Sequence, residues 1–330
     1  MTVASGVGSM PGTSYDEALR LVLGELPDLP HLPEVPGRGA QATMTGRALA
    51  VLAGLDADLQ PAGWRLTGSG GSPGVDHRRA RSLLAQDLDA LEEHTQGFEG
   101  RLKIQVAGPW TLAATVEKPR GDKVLSDVGA RRDLAQALAE GVRTHVRDVR
   151  RRVAAGRLVV QVDEPALAAV LGGQVPTASG FHRHRSVHLP EASAALEWVL
   201  DAIREEGAEP WVHTCASGTP LGLLRGAGAR GLSVDLGRMS AADHDVLAEA
   251  LEAGETVALG VVPTTAPATV QTPGQVAESV VRWLDMLGLD PATAGSGLVL
   301  TTTCGLAGAS DQWARRALAL VHAAATELTS

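Results

Sequence analysis

Apolar residues recur along the chain with two alternating periods. Short β-like runs lie at Val3–Ser9, His31–Glu34, Leu102–Ala107, Leu158–Asp163, Pro210–His213, Gly231–Leu236, Thr256–Val262 and Gly297–Thr302. Between them, apolar positions return at helical spacing over Tyr15–Leu26, Ala80–His94, Val128–Ala154, Ala192–Glu206, Ala241–Ala253, Pro273–Leu287 and Asp311–Leu328. Strand and helix alternate from one end to the other with no Pro/Gly/Ser linker, which predicts repeated βα units around a parallel sheet. Eight strands with interleaved helices predict an α/β fold of the (β/α)8 TIM-barrel type. The second strand is the weakest of the eight and is assigned mainly because a unit is expected there. The glycine-rich stretch Pro61–Asp76 is read as a surface loop between two helices. No strand is predicted ahead of it and no Gly-Lys-Ser/Thr closes it, so it is not a phosphate loop.

Length fits that picture, since 330 residues is ordinary for a single closed α/β barrel. Hydrophobic residues at 44% and charged residues at 20% provide a core with a solvated surface, and exclude a disordered chain. Charged residues cut every apolar run short of the ~18 residues a membrane span needs, as Asp163 and Glu164 do after Val159. Met1–Gly12 has no basic residue and no long apolar block, unlike a secretory signal, so a cytoplasmic location is expected. A net charge of -9 argues against a nucleic-acid partner. Two cysteines are too few for a disulfide framework and are expected to be free thiols.

In such a barrel, residues just after the strands converge on one rim although they are distant in sequence. Here those places hold Gly8 to Pro11, Glu34, Gly108 with Pro109, Asp163 with Glu164, His213 with Cys215, Asp235, Pro263 to Ala266, and Cys304 with Gly305. One imidazole, two thiolates and an oxygen ligand make a reasonable zinc shell from His213, Cys215, Asp235 and Cys304. Their wide spacing excludes a zinc finger and suits a catalytic site assembled by a closed fold. The other reading makes both cysteines small buried hydrophobes, His213 a hydrogen-bonded core histidine and Asp235 a helix cap. Asp163 and Glu164 are neighbours on a strand, so at most one faces the mouth, where it could hold an ammonium group. The cluster of His182, His184 and His188 with Arg183 and Arg185 suits either a lid over an anionic partner or a solvated basic loop.

Four of these segments, in this order, carry a resemblance. Gly6–Thr13 (GVGSMPGT), Gln161–Leu167 (QVDEPAL), His213–Cys215 (HTC) and Thr302–Leu306 (TTCGL) resemble the catalytic half of the cobalamin-independent methionine synthases. The likeness spans nearly the whole chain and lacks the amino-terminal half of the full-length enzymes, so it is of the single-barrel core type, one zinc-binding domain over residues 1–330. It implies a zinc-dependent methyltransferase that takes homocysteine as its thiol and forms methionine. It implies His213, Cys215 and Cys304 as zinc ligands, with Asp235 where the family usually has a glutamate. It implies Asp163 at the homocysteine amino group, Gly8 and Ser9 in the segment that receives the amino acid, and Glu34 as an acidic residue facing it. Thr265 stands where the family has a proton-donating histidine, Thr115 where a tryptophan packs on folate, and Ala169 where a glutamate contacts it. Methylfolate is therefore disfavoured as donor, and a methyl-corrinoid protein or another small methyl donor enters. Related barrels alkylate other thiols such as coenzyme M, and a non-catalytic zinc- or metabolite-binding homologue is the remaining alternative.

Overall fold

The structure, a computed structural model, describes residues 1–68 and 73–329. Among the described residues nine strands occur: β1 (Val3–Ala4), β2 (Asp56–Gln60), β3 (Gly63–Gly68), β4 (Arg101–Ala107), β5 (Arg157–Asp163), β6 (Glu209–Thr214), β7 (Gly231–Asp235), β8 (Thr256–Val262) and β9 (Leu298–Thr302). Seven of them form one sheet in the order β1-β9-β8-β7-β6-β5-β4, every neighbouring pair parallel. The gap between β4 and β1 is filled by residues 30–34. Lys103 N–H donates to Pro30 (2.9 Å) and Leu32 N–H to Lys103 (2.8 Å), while Glu34 N–H donates to Gly8 (3.1 Å) and Met10 N–H to Glu34 (2.7 Å). His31 and Glu34 thus make parallel bridges to Lys103 and Ser9, and the ring closes as a (β/α)8 TIM barrel. The second strand exists as predicted, but only as two isolated bridges, and the ladder of β1 is shorter than its apolar run.

The helices lie outside this ring and begin where the sequence offers caps. Ser14, Asp127 and Ser310 each accept a backbone N–H of the first turn, and Ser240 with Asp243 and Thr272 with Gln275 form full capping boxes. Outward strand residues such as Ile104, Val160, Val212, Val234 and Leu300 are buried in the layer between sheet and helices. Inward residues Val159, Trp211, Ala258 and Val299, with Leu29, plug the lower lumen. A Cβ on Gly231 would lie 2.3 Å from the Trp211 ring, so the indole fits only because its neighbour on β7 is glycine. Among the described residues no helix is long and apolar enough to cross a membrane.

The region Pro61–Asp76 differs from expectation. β2 and β3 form an antiparallel hairpin about Pro61 and Ala62, with Trp64 and Leu66 buried against the core, and Gly74 caps the helix Val75–His94. The predicted loop is therefore partly strand, and a strand does precede it. Residues 69–72 of that stretch lie outside the described residues. The hairpin is short and faces solvent on one side, which left its alternation too weak to separate from a loop.

Closure of the ring sets a tight contact. A Cβ on Gly6 would come within 2.3 Å of the buried His31 ring, with no backbone-free space to accept it. Gly6→Ala is expected to destabilise the fold by about 1–3 kcal/mol through overpacking, read as a lower urea midpoint at unchanged slope.

Candidate metal centre and amino-acid cavity

Alternation along each strand sorts side chains into those that fill the lumen and those that face the helices. On β5 the inward set is Val159, Gln161 and Asp163; on β6 it is Trp211 and His213. The parallel register places Asp163 beside His213 and His213 beside Ser233. Cys215 follows β6 by one residue and Cys304 follows β9 by two. Thr214 Oγ1 accepts from Ala216 N–H at 3.3 Å and pairs with Thr219 Oγ1 at 2.9 Å, while Thr302 Oγ1 donates to the Cys304 carbonyl at 2.8 Å. These short turns point both thiols at the imidazole.

One ligand atom from each of His213, Cys215 and Cys304 lies within 4.8 Å of the other two. The two sulfurs are 2.9 Å apart, and Cys304 Sγ is 3.8 Å from His213 Nε2. Ligands about 2.0–2.3 Å from a tetrahedral zinc ion are separated by about 3.3–3.8 Å, so the sulfurs need to part by less than about 1 Å to admit one. His213 Nδ1 pairs with Ser233 Oγ at 3.0 Å, leaving Nε2 directed at the thiols. The pair of thiols shares a proton unequally. The hydrogen bond between the two sulfurs and the nearby His213 pull the Cys304 thiol down to about 4, whereas that same bond and burial push the Cys215 thiol up. A thiolate beside an imidazole is the donor set that soft and borderline divalent metals prefer.

The same three side chains form one wall of a cavity of about 280 Å3. Gly8, Ser9, Glu34 and Asp163 line it too, so every position proposed for the amino acid meets the candidate metal centre in one space. A Cβ on Gly305 would lie 2.0 Å from Ser9 Oγ, and one on Gly8 would strike the Gln105 side chain at 2.9 Å, so both glycines keep the walls this close. Glu34 is buried, and its Oε1 has Arg47 Nε at 3.6 Å but no hydrogen-bond partner. Burial raises the carboxyl pKa of Glu34 and lifts that of Asp163 to about 7, with Glu34 adding to the latter and His213 opposing it. Two buried carboxyls lining one small cavity favour a cation there.

Glu164 takes the other direction. Its carboxylate accepts the backbone N–H groups of Trp110 (2.9 Å) and Thr111 (2.8 Å) and the Thr111 hydroxyl (2.7 Å) at the start of helix Pro109–Thr115. Gly108 is glycine because a Cβ there would lie 2.3 Å from Glu164 Oε1. Of the adjacent acids, one lines the cavity and its neighbour caps a helix.

Asp235 is not brought to the metal group. Its carboxylate accepts Gly237 N–H at 3.1 Å and pairs with Arg238 at 3.2 Å, so the end of β7 satisfies it locally. The donor set that the structure gathers is His213, Cys215 and Cys304, with Asp235 in the helix-cap arrangement of the other reading. In the basic cluster, His184 is buried and 3.2 Å from Asp122, whereas His182 and His188 are exposed. Ser233 escaped the sequence reading; its signal was the inward position two residues before Asp235.

A closed βα barrel gathers an imidazole and two thiols, a donor set that could hold a metal ion, over a small carboxyl-lined cavity. The sequence model described as the cobalamin-independent synthase catalytic domain matches residues 104–327, and the chain belongs to that family. Among solved structures, a B12-independent methionine synthase from Shewanella sp. W3-18-1 in complex with selenomethionine is similar at 18% identity, with a TM-score of 0.65, over 100% of this chain and 98% of that one. It shares the fold. An oxaloacetate acetylhydrolase in complex with oxalate (13% identity, TM-score 0.38, 92% of this chain and 75% of that one) and a 2,3-dimethylmalate lyase (12%, 0.39, 91% and 73%) are too loosely similar to bear on the site. No curated protein matches the chain.

Replacing Ser233 by Ala is expected to weaken metal affinity by about 10-fold or more, because the imidazole loses the partner that orients it. Asp235→Asn is expected to leave the bound metal at the wild-type level. Competition with a chromogenic chelator measures both, and loss of metal in Asp235→Asn would restore the carboxylate to the shell.

Proposed function

We propose that this chain is a zinc-dependent thiol methyltransferase that methylates homocysteine to methionine, acting as one zinc-binding barrel over residues 1–330. The observation that carries the reading is a single cavity lined by His213, Cys215 and Cys304 together with Glu34 and Asp163. A molecule that carries both a thiol and an ammonium group satisfies both sets of residues. The selenomethionine in the similar barrel from Shewanella supports an amino acid of this kind. Coenzyme M, which carries a sulfonate and no ammonium group, would offer Glu34 and Asp163 no cation.

His213, Cys215 and Cys304 would hold the ion, with its fourth position open to substrate. Zinc, when bound, supplies the charge that keeps a substrate thiol ionised at neutral pH, where a free thiol of pKa ~8.5 is only a few per cent thiolate. Asp163 and Glu34 take the ammonium group, and the backbone around Gly8 and Ser9 faces the carboxylate. Ser233 keeps Nε2 of His213 turned toward the ion. Fixing both ends of the amino acid aims its sulfur at the incoming methyl carbon and supplies proximity. Thr115 stands where the family has a tryptophan that packs on folate, Ala169 where a glutamate contacts it, and Thr265 where a histidine donates a proton. Thr115 is exposed and its hydroxyl donates back to Thr111 O at 2.7 Å, so it offers no aromatic face. This supports a methyl-corrinoid or another small methyl compound as donor.

Purified protein is expected to hold one zinc per chain, lose activity to a chelator and recover it with zinc. Cys215→Ser and Cys304→Ser should each lower turnover on the order of 100-fold or more. X-ray absorption at the zinc edge should gain one sulfur neighbour on adding homocysteine, and methylcobalamin should support turnover where methyltetrahydrofolate does not. A metal-free protein, or a preference for coenzyme M, would reject the assignment.

A further inference from the structure

Beneath the cavity the lumen contains a buried cation that the reaction does not call for. Lys103, on β4, is buried, and its side chain enters the barrel. Its Nζ donates to the Val7 carbonyl at 2.8 Å and to Gln161 Oε1 at 3.1 Å. The Gln161 amide nitrogen in turn donates to the Val7 carbonyl at 2.9 Å and to Asp163 Oδ1 at 2.7 Å. Val7 and Asp163 line the cavity; Lys103 and Gln161 lie below it.

The direction of this chain of bonds follows from what each group can do. An ammonium group only donates, so it can face only the oxygen of the Gln161 amide. That choice turns the amide nitrogen toward Asp163 and Val7, both acceptors. A buried lysine also needs negative charge near it, and the acidic groups that act on it are Asp163 and Glu34, the two carboxyls of the cavity. Burial lowers the Lys103 pKa to about 8, against the pull of those carboxyls, which leaves it largely protonated at neutral pH. His31, also buried beside it, has its pKa lowered by burial and by Lys103, so it adds no second cation at neutral pH.

We infer that Lys103, through Gln161, is a positioning residue that holds the Asp163 carboxylate toward the cavity and so sets preference for thiols that carry an α-ammonium group. The inference rests on the functional reading above and adds to it a determinant of specificity outside the cavity. It touches neither the metal ligands nor the thiol. Its loss should therefore affect recognition of the amino group and spare the transfer step.

The test compares homocysteine with 4-mercaptobutanoate, which keeps the thiol and carboxylate and lacks the amino group, in the zinc-loaded full chain. Lys103→Met is expected to raise KM for homocysteine about 10-fold or more, to change kcat less than about 3-fold, and to leave KM for 4-mercaptobutanoate within about 2-fold. Gln161→Met keeps the lysine and breaks the relay, and serves where Lys103→Met folds poorly. It should produce the same selective rise, and the double variant should be no worse than the more affected single one. If homocysteine and 4-mercaptobutanoate lose equally in Gln161→Met, the residues serve the fold alone and the inference fails. The same holds if wild-type protein binds homocysteine and neither variant alters its KM. Wild-type protein that does not bind homocysteine overturns the functional reading, and this inference with it.

Discussion

The cavity exists because residues 30–34 close the ring. This segment pairs with β4 through Lys103 on one side and with the chain around Ser9 on the other, using two backbone hydrogen bonds to each. Without it the sheet would be an open seven-stranded curl from β1 to β4. Glu34 would lose its place against Gly8, and Ser9 its place between Glu34 and Gly305. The four bonds are few for such a task, and the contacts of Gly6 with His31 and of Gly8 with Gln105 show how closely this seam is packed. A Cβ on either glycine would run into a side chain, the His31 ring at Gly6 and the Gln105 amide at Gly8.

Polar and apolar side chains share the lumen. Val159, Trp211, Ala258 and Val299 form an apolar cluster there, and Lys103, Gln161 and Ser233 are buried at positions paired in register with Val159, Trp211 and Ala258. Asp163, Glu34 and the imidazole and thiols sit at the open end. Hydrogen bonds from Lys103 through Gln161 to Asp163 run up the barrel toward the cavity, and Glu34, which also lines it, keeps a buried Oε1 with no hydrogen-bond partner. Asp163 and Glu164 show how strand geometry divides two identical chemistries. One residue of offset sends one carboxylate to the cavity and the other to the N-terminus of a helix, where three donors hold it.

Much of the fold is legible without coordinates, for reasons that differ by element. β8 and the helix Pro273–Leu287 are found at their predicted limits because β-branched residues fill the strand and a capping box and a left-handed Gly288 bracket the helix. The strand near His31 is hard to read because pairing, not propensity, makes it a strand. The β2–β3 hairpin is missed because its buried face is only Trp64 and Leu66 beyond Ala57. At the site, alternation and strand ends identify Asp163, His213, Cys215 and Cys304, since the barrel makes such residues converge. Asp235 also lies at a strand end, but an acceptor two residues from a free N–H and three from an arginine is satisfied locally. That competition is invisible in a pattern of spacings.

The pairing of β1 with β9 joins Val3 to Val299 and carries Cys304 to the rim beside residues from the start of the chain. During synthesis from the amino terminus, His213 and Cys215 emerge long before their third companion. Until β9 has been made, they lie on an unclosed sheet whose β1 and β8 edges still lack it. Closure of the ring and convergence of the imidazole with both thiols are therefore one event, because Cys304 reaches the other two only when β9 pairs with β1 and β8.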